Sequence, residues 1–367
     1  MLIKMPKNII LITADALRPD VAVHLPFLGK LVSKSSFFSN VFSYQNNSTG
    51  AFYSIFSGIY GNKSEANSYF GSLNFKKDRC KLLTQYFKEQ GYFTLAHSMS
   101  DIILPREHFD AYYCELDEEK IPALYDRMLY ELKHCGKNFF VHFHVALIHT
   151  RIIENVAKKF KYKDKEYYEQ VEKNKENYFQ YALEADARIQ HLLEQFDLRS
   201  CILVIYSDHG TTYGEKFGER FYGSLCYDDT LRTFALFYGA DFPAFCSDLV
   251  VRGVDIMPTL LDVMNIEEDG KTIMDGKSLV PLIKGKKEER VAFSEVAPLQ
   301  GSSDYPSPKK PNIHAVRTNY WKLLFYRSTN TYELYDLKND SHEDKNLINR
   351  GLAVEGEMKR LLHKHLD

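Results

Sequence analysis

Asn8-Ile-Ile-Leu-Ile-Thr13 is an unbroken apolar run that ends in Ala14-Asp15, and Cys201-Ile-Leu-Val-Ile-Tyr206 repeats the design before Ser207-Asp208-His209-Gly210. A strand with one wet face alternates polar and apolar residues. A run without alternation needs cover on both faces, as an inner strand of a parallel sheet has. Tyr92–His97, Phe139–Val145 and Phe234–Tyr238 read the same way. Between them lie amphipathic stretches, Leu82–Gln90 and Asp164–Phe196, the latter with Tyr178, Ala182, Ala185, Ile189, Leu192 and Phe196 at helical spacing. Strands alternating with helices predict an α/β fold: a doubly wound, mostly parallel sheet sandwiched by helices.

A chain of 367 residues exceeds one small core. The character changes after the Gly253–Met264 helix, at the polar Glu267–Lys271 segment, which places a boundary near residue 268. Residues 269–367 then form a smaller α+β subdomain, with short strands at Trp321–Tyr326 and Thr331–Asp336 and a charged helix over Leu347–Leu366. The proline- and serine-rich Ala297–Pro311 reads as a surface loop or lid, and Lys158–Lys175, carrying both signs of charge, as a solvated helix face. Formal net charge is −2, so no global field draws the chain to nucleic acid or an anionic membrane. No apolar stretch is long enough to span a bilayer, and Met1–Lys7 precedes no cleavage site. Six singly scattered cysteines read as reduced, and the chain as cytoplasmic; oligomeric state is not legible.

Ligands of open α/β sheets bind at the carboxyl ends of the strands, where Asp15, Asp208 and His209 all fall. Two carboxylates and an imidazole brought together need a cation, and this donor mix suits zinc, manganese, magnesium or calcium. The competing reading, a helix cap or turn at each position, explains none of the coincidence of strand ends. For a nucleophile the strongest candidate is Asn46-Asn47-Ser48-Thr49-Gly50, a polar cluster directly before a short helix ending at Gly58. A hydroxyl there can be acidified by a cation, and free amides can hold the oxygens of a phosphate or sulfate, although Ser and Thr before a helix are also ordinary caps.

Ser48 stands ten residues before the glycine of Ser57-Gly58, and this segment resembles the nucleophile signature of sulfatases and their phosphatase relatives in the alkaline phosphatase superfamily. Asp15-Ala-Leu-Arg-Pro-Asp20 and Ser207–Gly210 resemble that family's two metal motifs. The likeness continues through Val254–Asp262, Asp275–Leu279, Ala315–Thr318 with Trp321-Lys322, and Glu333–Leu337 with Asn339-Asp340, so it covers nearly the whole chain. The resemblance implies an ester hydrolase or transferase in which Asp15, Asp208, His209 and Ser48 surround one divalent cation, Thr49 contacts the substrate, and Lys216 or Arg220 reaches it from the following loop. It further implies His149 as general acid and His314 as a contact from the small domain. His142 and His144, alternating along a strand, read as core histidines.

Departures from the pattern set the expected chemistry. Formylglycine sulfatases make that group from a Cys or Ser followed by Pro or Ala at the second position and Arg at the fourth; Ser48 is followed there by Gly50 and Phe52. An unmodified serine is expected. A sulfated serine can leave only by attack of water at sulfur, whereas a phosphoserine is resolved by displacement at phosphorus. The sequence therefore favours a small-molecule or glycan-linked phosphate ester as substrate, for hydrolysis or phosphotransfer. A sulfuric ester is the alternative, and an inactive sulfatase-fold binding protein the alternative of another class.

Overall fold

The computed structural model describes residues 7–161, 164–239, 241–270, 274–297, 301–302, 305–306 and 312–367. Nine strands form the main sheet: β1 (Asn8–Ala14), β2 (Ser36–Phe42), β3 (Phe93–Ser98), β4 (Ala111–Cys114), β5 (Phe139–Val145), β6 (Cys201–Tyr206), β7 (Arg232–Tyr238), β8 (Phe245–Ser247) and β9 (Val251–Arg252). Their order is β4-β3-β5-β1-β6-β7-β2-β8, with β9 also beside β2. Strands β4, β3, β5, β1 and β6 run parallel, whereas β7 is antiparallel to both β6 and β2.

The apolar run of β1 is covered on both faces. Ile10 and Ile12 pack in one core with Ala182, Ala185 and Ile189 of the Val171–Leu193 helix, and Ile9 and Leu11 in a second with Phe56 of the Ser48–Ser57 helix and Leu260 of the Ile256–Met264 helix. All four β1 side chains are fully buried, each stabilising by about 1.5–3 kcal/mol relative to exposure. The expected Asp164–Phe196 helix is divided, with Lys165–Glu169 separated from Val171–Leu193 at Gln170, where φ is −118°. Before it, the Leu147–Ile152 helix runs on into one wide π turn, Ile153–Ala157.

The second sheet, antiparallel, has the order β10 (Ala292–Val296), β13 (Ile313–Arg317), β14 (Trp321–Tyr326) and β15 (Thr331–Asp336). One face packs Ala315, Leu324 and Tyr335 against Phe42, Cys226 and Leu231 of the larger layer. The other packs Val316, Leu323 and Leu334 against Met358 and Leu362 of the Ala353–Leu366 helix. Where the two sheets meet, the fully buried Lys322 places its ammonium 2.6 Å from Asp228 and 2.8 Å from Glu343. The Ala297–Pro311 segment lies largely outside the described residues; within it β11 (Gly301–Ser302) and β12 (Tyr305–Pro306) pair antiparallel. All six cysteines are free. Among the described residues no helix is long and apolar enough to cross a membrane.

Candidate active site

Parallel pairing puts β1, β5 and β6 side by side, so the loops at their carboxyl ends open at one edge. Asp15 follows β1, and Ser207-Asp208-His209 follows β6. Single ligand atoms of Asp15, Asp208 and His209 lie within 4.8 Å of one another, and all three side chains are fully buried. Among the described residues Asp15 Oδ1 and Asp208 Oδ2 have no hydrogen-bond partner. His209 Nε2 lies 3.6 Å from Asp15 Oδ1 and 3.6 Å from Asp208 Oδ2. His209 Nδ1 is 2.9 Å from the carbonyl oxygen of Gly210 and so carries the ring proton. Nε2 therefore presents a lone pair, and it converges with the two carboxylate oxygens in the protein interior.

Such an arrangement is costly unless a positive charge fills it. Burial alone pushes the Asp15 carboxyl up, but facing His149, His144 and His209 outweigh it and hold Asp15 well below the usual carboxylate range. Asp208 moves up instead, through burial and then the charge of Asp15. Two carboxylate oxygens and an imidazole nitrogen are a donor set for a divalent cation.

Ser48 opens the Ser48–Ser57 helix, with Asn47 as N-cap accepting from Gly50 N, and Gly58 closes it at a φ of 68°. Ser48 Oγ lies 3.5 Å from Asp15 Oδ2 and 3.5 Å from His209 Nε2. Thr49, its neighbour, is fully buried with a partnerless hydroxyl, whereas Ser48 retains 8% exposure. The two departures from the formylglycine pattern have packing causes. A Cβ at Gly50 would come 2.1 Å from Gln45 Oε1, and Phe52 is buried edge-on against the rings of His142 and His144 at 5.5 and 5.1 Å.

Residues 7–266, most of the chain, match the family model described as Sulfatase. The chain belongs to the sulfatase family. Residues 219–367 also match a model described as N-sulphoglucosamine sulphohydrolase, C-terminal. An N-acetylglucosamine-6-O-sulfatase of Bacteroides thetaiotaomicron is 26% identical over 182 residues, which span 47% of this chain but only 32% of that protein. Among solved structures, one in complex with its substrate D-glucosamine-2-N,6-O-disulfate has a TM-score of 0.73 at 14% identity, covering 98% of this chain and 97% of the other. A phosphonate monoester hydrolase from Silicibacter pomeroyi has 0.76 at 16%, covering 98% and 94%. At these identities the likeness is one of fold, and it agrees with the sheet sandwiched by helices read from the sequence. The family match agrees at least as well with the sulfuric ester, the alternative in the sequence reading, as with the phosphate ester preferred there.

The remaining residues singled out in this sulfatase-family chain divide into two groups. His149 Nδ1 lies 3.8 Å from Asp15 Oδ2 and bonds the hydroxyl of Tyr222, whose ring packs 4.2 Å from that of His209. Burial pulls the His149 pKa below its ordinary value despite the nearby Asp15. The others turn elsewhere. Lys216 Nζ bonds Glu343 O and Asp344 Oδ1, both at 2.8 Å, and Arg220 bonds the carbonyl of Phe160. His314 is buried on β13 with its Nδ1 4.0 Å from Glu295.

His144 contributes what sequence reading did not see. Buried as expected of a core histidine, it also places Nε2 2.9 Å from Asp15 Oδ2 while Nδ1 accepts from Met99 N at 3.4 Å. Nε2 therefore carries the proton and donates it to the carboxylate. The available signal was its place: near the carboxyl end of β5, in register with Thr13 of β1.

Proposed function

We propose that this chain hydrolyses a sulfuric monoester of a sugar, with Ser48 as nucleophile and Asp15, Asp208 and His209 holding one divalent cation. The observation that carries this reading is the convergence of partnerless Asp15 Oδ1, partnerless Asp208 Oδ2 and the His209 Nε2 lone pair beside Ser48 Oγ. When bound, the cation supplies Lewis-acid charge that acidifies the serine hydroxyl and polarises an ester oxygen; calcium, magnesium, manganese or zinc suits the donors. Ser48 attacks the central atom of the ester and the sugar oxygen departs; water then attacks the same atom of the esterified serine, releasing the anion and restoring the hydroxyl. Ser48 keeps 8% exposure where Thr49 has none, so the attack is assigned to Ser48. His149, kept neutral at pH 7 by burial, takes up the serine proton and returns it to the departing sugar oxygen; both it and Ser48 border Asp15 Oδ2. Support for the sulfuric ester and for a sugar comes from the family match and the names of the relatives.

A second reading, a phosphate ester, is favoured by one observation: Gly50 and Phe52 replace the residues that direct formylglycine formation, and both are tightly packed. A metal-supplemented assay on aryl sulfates, phosphate monoesters, diesters and phosphonates, with Ser48→Ala beside Thr49→Ala, separates the readings. Sulfate turnover lost only in Ser48→Ala is the expected result. Preference for phosphate selects the second reading, and loss only in Thr49→Ala moves the nucleophile by one residue.

A further inference from the structure

Lys159, Phe160, Tyr167, Gln170, Lys173 and Asn174, in the stretch 158–175 that reads in the sequence as a solvated face and whose residues 162 and 163 lie outside the described residues, wall a cavity of about 270 Å³. Its other walls come from the π turn after Ile152, the Val171–Leu193 helix and Thr211–Tyr213. Three of these walls adjoin segments of the candidate site along the chain or through hydrogen bonds. Thr211 lies two residues beyond His209. Tyr178 Oη donates to Ala16 O and accepts from Arg18 N, both at 2.8 Å, in the loop that begins at Asp15. Ile152 ends the helix that carries His149.

The lining chemistry is selective. Lys159 and Lys173 border the cavity, and among the described residues no Asp or Glu does. Aromatic faces supply much of the rest, and from them a row of rings leads outward: Phe160 to Tyr167 at 5.5 Å, Tyr167 to Tyr168 at 5.5 Å, and Tyr168 at 4.8 Å from Phe217, which is 62% exposed. Tyr213, only 3% exposed, lines the cavity with a hydroxyl that has no hydrogen-bond partner among the described residues. Amide groups of Asn155, Asn177 and Gln170 complete the polar lining. Flat apolar faces, neutral hydrogen-bonding groups and cations without an acidic neighbour in the described lining are what a sugar bearing an anionic group requires. The volume lies near the lower end of ligand pockets, roughly 300–1,000 Å³, which fits a single sugar ring better than a chain of them.

We infer that this cavity receives the sugar of the ester, and that Lys159 and Lys173 bind a second anionic substituent on it, a sulfate, phosphate or carboxylate remote from the bond that is cleaved. The inference rests on the reading of the chain as a hydrolase of sugar esters, and it names the substrate class: a doubly anionic monosaccharide. Lys159 Nζ, now 2.8 Å from Asn155 Oδ1, would exchange that neutral acceptor for a charged one.

Isothermal titration of the full Ser48→Ala chain with D-glucosamine 2-N,6-O-disulfate and with D-glucosamine 6-sulfate tests it. The disulfate is expected to bind more tightly. Lys159→Ala combined with Lys173→Ala is expected to weaken the disulfate roughly five- to tenfold, the range of two solvent-accessible charge-assisted contacts, and the monosulfate by less than about twofold. Tyr213→Phe is expected to weaken both sugars alike through a lost hydrogen bond. Equal loss for both sugars in the double lysine variant, no loss for either, or no binding of either sugar to the parent chain overturns the inference. Aryl ester turnover by the wild-type chain reports separately on the hydrolase reading. If it is present and Ser48-dependent while the lysine variant binds normally, only the cavity assignment fails. If it is absent while the disulfate still depends on the lysines, only the hydrolase reading fails.

Discussion

Replacing His144 by Leu removes the donor from Asp15 while keeping an apolar side chain in a fully buried position. The lost contact is a 2.9 Å hydrogen bond to a carboxylate that has no solvent to replace it. A hydrogen bond to a charged group contributes about 1.5–3 kcal/mol. Because Asp15 is then free to rotate away from Asp208 and His209, much of that loss falls on cation binding, and it converts to roughly a 10- to 100-fold rise in the half-saturating metal concentration. The assay is thermal unfolding at graded concentrations of manganese or calcium, read as the concentration that gives half the maximal rise in melting temperature, with ester turnover measured in parallel. A structural role alone lowers the melting temperature at every metal concentration without moving the half-saturation point. His144→Gln, whose amide can still donate, is expected to recover part of the loss. An unchanged half-saturation point in His144→Leu, with turnover also unchanged, refutes the assignment of His144 as the group that positions Asp15.

Other expectations concern the joint between the sheets and the state of the nucleophile. Lys322→Met leaves Asp228 and Glu343 facing each other in the interior, with Arg317 3.4 Å from Asp228; denaturant unfolding is expected to show a loss of about 3–5 kcal/mol. Burial pushes the Glu219 carboxyl up to about 8, an effect partly offset by the N–H groups of Leu225 and Ser224. The folded chain therefore retains a proton that the unfolded chain releases above its ordinary value of 4.5, so this contribution to stability is present at low pH and is lost as pH rises toward 8. Melting curves across that window are expected to fall less steeply for Glu219→Gln than for wild type, and parallel curves would count against it. Mass spectrometry of the Ser48 peptide is expected to show intact serine; a peptide lighter by two hydrogens identifies formylglycine and removes the support for the phosphate reading.

How much the sequence discloses depends on whether a residue's role is written in its neighbours along the chain. Strands β1, β5 and β6 are legible because a run covered on both faces cannot alternate, and their ends mark Asp15 and Asp208-His209 as residues of one sheet edge. The β2 strand escapes this reading because Ser36, Ser39 and Asn40 interrupt its apolar residues. Its antiparallel fit beside β7 depends on partners remote in sequence, and its register shifts between Phe38 and Val41. The role of His144 is illegible for a related reason: alternation with His142 is what any buried strand histidine shows, and only the register of β5 on β1 brings its ring to Asp15. Lys216 illustrates the converse. Its position after the second metal motif points toward substrate, yet Glu343 and Asp344, more than a hundred residues on, hold its ammonium. The stretch 158–175 has a charge pattern indistinguishable from a solvated face, and that pattern does not disclose the cavity that its Lys159, Phe160, Tyr167 and Lys173 line together with Asn155 and Val156 of the π turn and Thr211–Tyr213.

The proposed chemistry requires three side chains, brought together from two strand ends distant in sequence, to share one ion. Metal content of the purified chain by elemental analysis, followed by titration of the stripped protein, measures this directly, alongside the doubly substituted Asp15→Asn, Asp208→Asn chain. The expected result is one divalent cation per wild-type chain, with melting stabilised by about 2.7 kcal/mol at a hundredfold excess over the dissociation constant, and neither stoichiometric binding nor stabilisation in the double variant. Equal binding and equal stabilisation of the two proteins would contradict it.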